Sequence, residues 1–361
     1  MAIVEHTELA PLDDVIEPRW WTGTPATDPA SFTISGNGKL GPADLQPGST
    51  LAREMKETFD RVGLVHLVDT GLTDVVDMRQ AAKLVQRTEM KYDGGANPRD
   101  RIVPNVYEVG APLSAWLHYH HEMAYVGTSA RSIAFVAKET LPVPADGSAS
   151  RGATFVSDSA SMTEELLTTE LGRKLRDLGV CYHRNLTDRD AFLGRDEIGV
   201  YNHWQKSFGT DDPQLAASKA RDQRLAVDWG DDRLMKTRYY APAFEYFEPL
   251  DRNVLYSSLA DHGMWFDTWP LVQHLPYEER PLHMTFGDDS EISRDEREQW
   301  IDLYDRYGTP INWRRGDVSV ICNFRFAHGR PGIHLGDGEA RTLGVLLGEN
   351  FDRRGARNDR W

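Results

Sequence analysis

Cysteine is nearly absent: Cys181 and Cys322 are the only two in 361 residues. Two thiols are too few for a disulfide framework, so they read as buried side chains in a reducing compartment rather than as ligands. Long apolar runs are missing too, and none approaches the roughly eighteen residues that a membrane span needs. Residues 1–14 are acidic and lack the apolar core of a secretory or transit signal, which makes the cytoplasm the expected location. Positive charge is in deficit, with 41 Lys and Arg against 56 Asp and Glu and a formal net charge of −15. A broad phosphate-binding face is therefore not expected, and neither nucleic acid nor an anionic membrane is an expected partner. There is no internal repeat and no low-complexity tract. What remains is an ordinary globular composition, 40% hydrophobic and 27% charged, sized for one large domain or two small ones. A small-molecule partner suits it, and oligomeric state is not legible.

The Pro/Gly-rich stretch 22–50 reads as part of an irregular leader, residues 1–50. Leu51, Met55, Phe59 and Val62 have helical spacing with Gly63 as a stop, and Leu64 to Val68 follows as a buried strand. Thr73 is placed to cap a second helix running towards Val85. Short apolar runs broken by Pro104, Gly110 and Pro112 predict strands between Arg101 and Val126, and Ser132 to Ala137 and Thr154 to Val156 add two more. Leu166, Leu167, Leu171, Leu175 and Leu178 form one helical stripe, and Pro213 can open another helix. Residues of about 160–230 thus read as a helical insertion. Ser293-Arg294-Asp295-Glu296 is a capping box for a helix with Trp300, Leu303, Tyr304 and Tyr307 on its apolar face. Two late strands, Gly316 to Ile321 and Arg341 to Leu347, complete a mainly β chain dressed with helices, a sandwich or barrel. Residues 51–350 are expected to form one domain and 351–361 a tail.

Leu117-His118-Tyr119-His120-His121-Glu122-Met123 packs three histidines and a carboxylate into a strand-like stretch. Residues two apart in a strand share a face, so His120 and Glu122 can reach one metal while His121 points away. Two histidines and one carboxylate on one side of an octahedron are the ligand set of non-haem Fe(II) oxygenases. His-x-Glu alone is a weak pattern, since His6-Thr7-Glu8 also matches it, but that copy has no strand around it. The missing ligand is expected near the end of a late strand, and His328 in Phe324-Arg325-Phe326-Ala327-His328-Gly329-Arg330 supplies it. Beyond it Arg341 opens an apolar strand, where a buried guanidinium is costly unless it meets a carboxylate. The distal carboxylate of 2-oxoglutarate is such a partner.

The order His120-x-Glu122, Gly152-Ala153-Thr154, Asn323 with Ala327-His328-Gly329-Arg330, then Arg341, resembles the taurine-dioxygenase and clavaminate-synthase-like family of Fe(II)/2-oxoglutarate enzymes, closest to its biosynthetic branch. Val106-Tyr107-Glu108, His120 through Tyr125, Tyr182-His183-Arg184-Asn185, Trp204 and Phe208-Gly209-Thr210 are further matches, so the resemblance covers about Leu51 to Gly348. It implies a double-stranded β-helix, or jelly roll, with N-terminal helices, and Fe(II), 2-oxoglutarate and molecular oxygen as the reacting partners. It also implies His120, Glu122 and His328 as iron ligands, and Thr154 and Arg341 as holders of 2-oxoglutarate. Two departures stand out: Arg151-Gly152-Ala153-Thr154 replaces the family's Gly-Gly-Glu-Thr, and Cys322 replaces the acidic residue before Asn323.

In taurine dioxygenase a second arginine follows the first by four residues and holds the sulfonate. Val345 stands there in this chain, which disfavours taurine. An intact Glu122 argues against the halogenating relatives, which carry a small residue at that point. Hydroxylation, desaturation and cyclisation stay open. His118 shares the His120 face by alternation and is a candidate substrate-pocket residue, whereas Arg325 has the opposite parity to His328 and should face away. Trp20, Trp21 and the basic run Arg353-Arg354-Gly355-Ala356-Arg357 read as packing and a solvated end. The competing readings are a metal-dependent isomerase or lyase on the same jelly roll, which would not consume 2-oxoglutarate, and a non-catalytic metabolite-binding jelly roll.

Overall fold

The computed structural model describes residues 21–90, 101–108, 113–191, 202–258 and 275–361. The His6-Glu8 copy, Trp20, Gly110 and Pro112 lie outside them. Alternation along the strands decides the architecture. In Thr128–Glu139 the side chains of Ile133, Phe135 and Ala137 enter one apolar cluster while Ala134 and Val136 enter another. A strand buried on both faces belongs to the middle of a sheet, and this one sits between Val318–Cys322 and Thr342–Asp352. The full eight-stranded sheet runs Thr33–Ser35, Leu64–Val68, Val318–Cys322, Thr128–Glu139, Thr342–Asp352, Val106–Glu108, Arg101–Val103, with Glu89–Met90 also pairing with Thr342–Asp352.

One face of that sheet packs on the helices Thr50–Val62 and Val75–Ala82 through Met55, Val75 and Met78. The other face shares a single core with a four-stranded sheet, ordered Gly308–Ile311, Thr154–Asp158, Phe326–Arg330, Leu117–His120. Two sheets enclosing one core make the expected double-stranded β-helix, left open at its edges. No helix among the described residues is long and apolar enough to cross a membrane.

Helix ends follow their caps. Ser49 accepts the Ala52 N–H and Gly63, at φ 79°, ends the first helix where the sequence places the stop. The second helix is capped by Asp74 rather than Thr73, because the Asp74 carboxylate takes the Val76 N–H at 2.7 Å. It ends at Ala82, short of Val85. The capping box of Ser293 and Glu296 forms in full and starts Arg294–Arg306, which buries Trp300, Leu303 and Tyr304.

Three expectations need correction. The leucine stripe is not one helix: Ser159–Leu166 and Glu170–Leu178 are separate, because the Thr169 hydroxyl caps the second by accepting the Gly172 N–H. A Cβ at Gly172 would lie 1.9 Å from the Leu166 carbonyl, so only glycine fits that junction, and Leu178 ends up exposed. Nor is the 160–230 region purely helical. Val180–Leu186 is a central strand of a further four-stranded sheet, Ala226–Trp229, Met235–Ala241, Val180–Leu186, Leu282–Phe286. Finally, the ends are less irregular than the sequence reads. Thr33–Ser35 pairs in parallel with Leu64–Val68, and Arg353 is buried in an ion pair with Glu245 at 2.8 Å.

In that further sheet His183 and His283 face each other across paired strands with their rings stacked, centroids 4.1 Å apart. Burial holds both imidazoles neutral, lowering His183 to about 4 and His283 to about 3. The folded state therefore binds fewer protons than the unfolded chain below the ordinary histidine range of about 6.5. The contribution is complete above about pH 6.5 and falls away as pH drops towards 4. Replacing His283 with Phe should flatten the fall in melting temperature between pH 6.5 and 4, measured by thermal denaturation. An unchanged slope would show that these rings do not set it.

Candidate active site

Leu117–His120 lies antiparallel to Phe326–Arg330, and the pairing puts His120 directly opposite His328. Both rings are buried, with centroids 4.2 Å apart, and Phe135 packs edge-on against His328 at 5.4 Å. His120 Nδ1 is 3.0 Å from the His118 carbonyl. A carbonyl only accepts, so Nδ1 carries the proton and Nε2 keeps its lone pair. Glu122 reaches the same point: its Oε2 is 3.9 Å from His328 Nε2, and ligand atoms of His120, Glu122 and His328 all lie within 4.8 Å of one another. Two imidazoles and a carboxylate on one side of a cavity are the donor set that Fe(II) accepts while keeping positions open.

Strand alternation does not place Glu122. The strand ends at His120. Glu122 sits in the following turn, where Met123 has φ 57°, and it is clamped by Asn323 instead. Asn323 Oδ1 accepts the Glu122 N–H at 2.8 Å, and its Nδ2 donates to the Glu122 carbonyl at 3.0 Å. The same Nδ2 lies 2.8 Å from the Ala130 carbonyl and 2.7 Å from Tyr256 Oη.

Across the cavity Arg341 is buried and placed just ahead of the strand Thr342–Asp352. Its Nε donates to the Gly152 carbonyl at 2.9 Å and its Nη2 to Thr154 Oγ1 at 3.4 Å. Among the described residues Arg341 has no carboxylate partner, and burial together with the charge of Arg330 lowers it to about 9. Departure of Arg151 from the family glycine is harmless to this arrangement, since its side chain turns outward to Glu339 at 2.6 Å. His120, Glu122, His328, Thr154, Arg330 and Arg341 line one cavity, walled by Leu117, Phe135, Leu343 and Val345.

The family described as "Taurine catabolism dioxygenase TauD, TfdA family" matches residues 27–346. The chain belongs to the TauD/TfdA family. Its members are Fe(II)/2-oxoglutarate dioxygenases, so this chain is an oxidoreductase of that class. A clavaminate synthase-like protein of Arabidopsis thaliana is 27% identical over 249 residues, covering 67% of this chain and 69% of that protein. Among solved structures, AAD-2 in complex with Mn(II) and N-oxalylglycine is 14% identical with a TM-score of 0.45, covering 90% of this chain and 95% of the other. A taurine dioxygenase from Burkholderia xenovorans is 12% identical with a TM-score of 0.46, at 91% and 93% coverage.

In this TauD/TfdA-family chain His118 is not where alternation puts it. Register between the two strands shifts: Arg330 pairs with Leu117 while His328 pairs with His120, so one strand advances three residues where its partner advances two. That bulge inverts parity. Leu117 and His120 face the iron-ligand cavity, and His118 instead lines a separate crevice, its ring 3.4 Å from that of Trp116. Arg325 faces away as expected and contacts Asp158 at 3.3 Å. His121 also faces away, its Nδ1 accepting the Ser257 N–H at 3.1 Å. Cys181, His183 and Asp289 also bring three ligand atoms together, but burial raises the Cys181 thiol to about 12 and Tyr240 already donates to Asp289.

The linear sequence assigns no role to Asn323, Arg330 or Trp313. Asn323 and Arg330 were visible in the motif around His328, but which atoms they hold depends on distant segments. Trp313 carries no pattern that separates it from other tryptophans. Replacing Asn323 with Ala would strand the Glu122 N–H, while the Glu122 carbonyl keeps the Ser129 hydroxyl, and should cost about 2 kcal/mol of stability. It should also weaken metal binding about 10-fold or more, because the ligand's backbone is no longer held. Calorimetric Fe(II) titration of the folded variant tests this, and wild-type affinity would remove Asn323 from the metal-site account.

Proposed function

We propose that His120, Glu122 and His328 hold Fe(II) and that Thr154 and Arg341 receive the distal carboxylate of 2-oxoglutarate. In this reading the oxygenase acts on an unactivated C–H bond of a small, polar, amino-acid-like metabolite in specialised biosynthesis, in the cytoplasm. The observation that carries it is Arg341: a buried guanidinium without a carboxylate partner among the described residues, sharing one cavity with the three ligands. An arginine placed so needs an anion, and a bidentate carboxylate fits its fork.

Bound Fe(II) supplies oxygen activation, coupled to conversion of 2-oxoglutarate to succinate and carbon dioxide. The chain's own share is positioning. The His118 carbonyl fixes the tautomer of His120, Asn323 fixes the Glu122 backbone, and Arg341 with Thr154 anchors the far end of the co-substrate. Leu117, Phe135, Leu343 and Val345 form an apolar wall that keeps water from the reacting carbon. Val345 stands where a taurine enzyme needs an arginine, which supports a substrate without a sulfonate. The Arabidopsis relative's clavaminate synthase-like description supports the biosynthetic assignment. An intact Glu122 supports oxygenation over halogenation.

His120→Ala or His328→Ala should abolish oxygen-dependent succinate formation, and Arg341→Ala should raise the KM for 2-oxoglutarate about 100-fold through loss of a charged pair. The anaerobic Fe(II)/2-oxoglutarate charge-transfer band and succinate release test these directly. Turnover of a substrate without 2-oxoglutarate consumption would favour the isomerase or lyase reading. Binding without any turnover would favour a metabolite-binding protein. The substrate itself is sought by screening amino-acid-like compounds for triggered oxygen uptake.

A further inference from the structure

The Thr154 hydroxyl is held in one sense only. A hydroxyl offers one proton and two lone pairs, whereas indole and guanidinium N–H groups only donate. Trp313 Nε1 donates to Thr154 Oγ1 at 3.0 Å, and Arg341 Nη2 donates to the same oxygen at 3.4 Å. Both lone pairs are thereby used. The hydroxyl proton must occupy the remaining direction, and among the described residues no acceptor takes it. Thr154 is buried and lines the cavity that also holds His120, Glu122 and His328.

Trp313 is in turn fixed by packing. It is buried, with its ring edge-on to His66 at 5.4 Å and to Phe135 at 6.1 Å. Its neighbour Asn312 accepts the Ser150 N–H at 2.8 Å and donates to the Ser148 carbonyl at 3.0 Å. That clamp steadies the loop leading to Gly152, whose carbonyl receives Arg341 Nε. One short segment, Asn312-Trp313, therefore braces both residues assigned to the co-substrate's far end.

We propose that Trp313 is a positioning residue which, by filling one lone pair of Thr154 Oγ1, makes that hydroxyl an obligate donor to the distal carboxylate of 2-oxoglutarate. The inference rests on the placement of that carboxylate at Thr154 and Arg341. Without the indole N–H one lone pair is released, and the proton is free to turn away from the anion.

The test is anaerobic calorimetry on the Fe(II)-loaded protein with 2-oxoglutarate and with pyruvate, a 2-oxo acid that lacks the distal carboxylate. Trp313→Phe should weaken 2-oxoglutarate about 10-fold, the effect of one hydrogen bond to a charged group. Pyruvate affinity and kcat at saturating 2-oxoglutarate should stay within about 2-fold, less than the effect of any such bond. Trp313→His, which restores a ring N–H, should recover much of the loss. In a Thr154→Val background Trp313→Phe should cost nothing more, since the hydroxyl it orients is gone. Equal losses for both ligands, additive losses in the double variant, or unchanged 2-oxoglutarate affinity would overturn the proposal. Should Trp313→Phe fail to fold, the indole proton resonances of the other proteins decide. Thr154→Val should move one indole signal upfield, and 2-oxoglutarate but not pyruvate should perturb that signal in the wild type; no such signal counts against the proposal. Wild-type 2-oxoglutarate affinity in both Thr154→Val and Arg341→Ala would instead remove the underlying placement, a result distinct from a silent Trp313→Phe.

Discussion

His120 and His328 are cross-strand partners, and everything in the site is arranged around that pairing. Two residues separated by most of the chain become immediate neighbours because Leu117–His120 and Phe326–Arg330 lie side by side in the smaller sheet. The bulge beside the pair matters as much as the pair. It turns Leu117 into the cavity with His120 and sends His118 out of it, so His120 gains an apolar wall and a backbone carbonyl on Nδ1 instead of a second imidazole beside it. The third ligand then needs no strand. Asn323, one turn before Phe326–Arg330, reaches back to hold both backbone groups of Glu122.

Electrostatics explain why the cavity is incomplete as a protein interior. Arg330 and Arg341 are both buried, and burial lowers them to about 10 and about 9. Arg330 spreads its Nη1 over the Leu113, Ala115 and Pro331 carbonyls, which is a structural use of a guanidinium. Arg341 instead holds one carbonyl and one hydroxyl, both neutral acceptors. Keeping a cation in such a place is costly without an anion, and a dicarboxylate held at its other end by a metal would supply one. In the proposed reading the co-substrate neutralises this buried positive charge.

Aromatic packing joins the two places where the ends of the co-substrate would be held. Trp313 packs between His66 and Phe135, and Phe135 also touches His328. The same aromatic side chain therefore steadies a metal ligand on one side and the bracing indole on the other. Phe135 lies on the strand buried on both faces, which gives both ends of the site a common wall.

Much of this was legible beforehand. Chemical type and order along the chain singled out His120, Glu122, His328 and Arg341 as candidates, because a metal triad and a buried arginine impose residue identities that few other roles share, and the family resemblance added Thr154. Helix starts and stops followed from Ser49, Gly63 and Ser293, since caps are local chemistry. What only the tertiary structure decided depends on register and on contacts between distant segments. The bulge that expels His118, the Asn323 clamp on Glu122, the break at Thr169 and the donation from Trp313 to Thr154 leave no periodic trace. Each is fixed by where two strands or helices meet, a relation that a linear sequence does not carry.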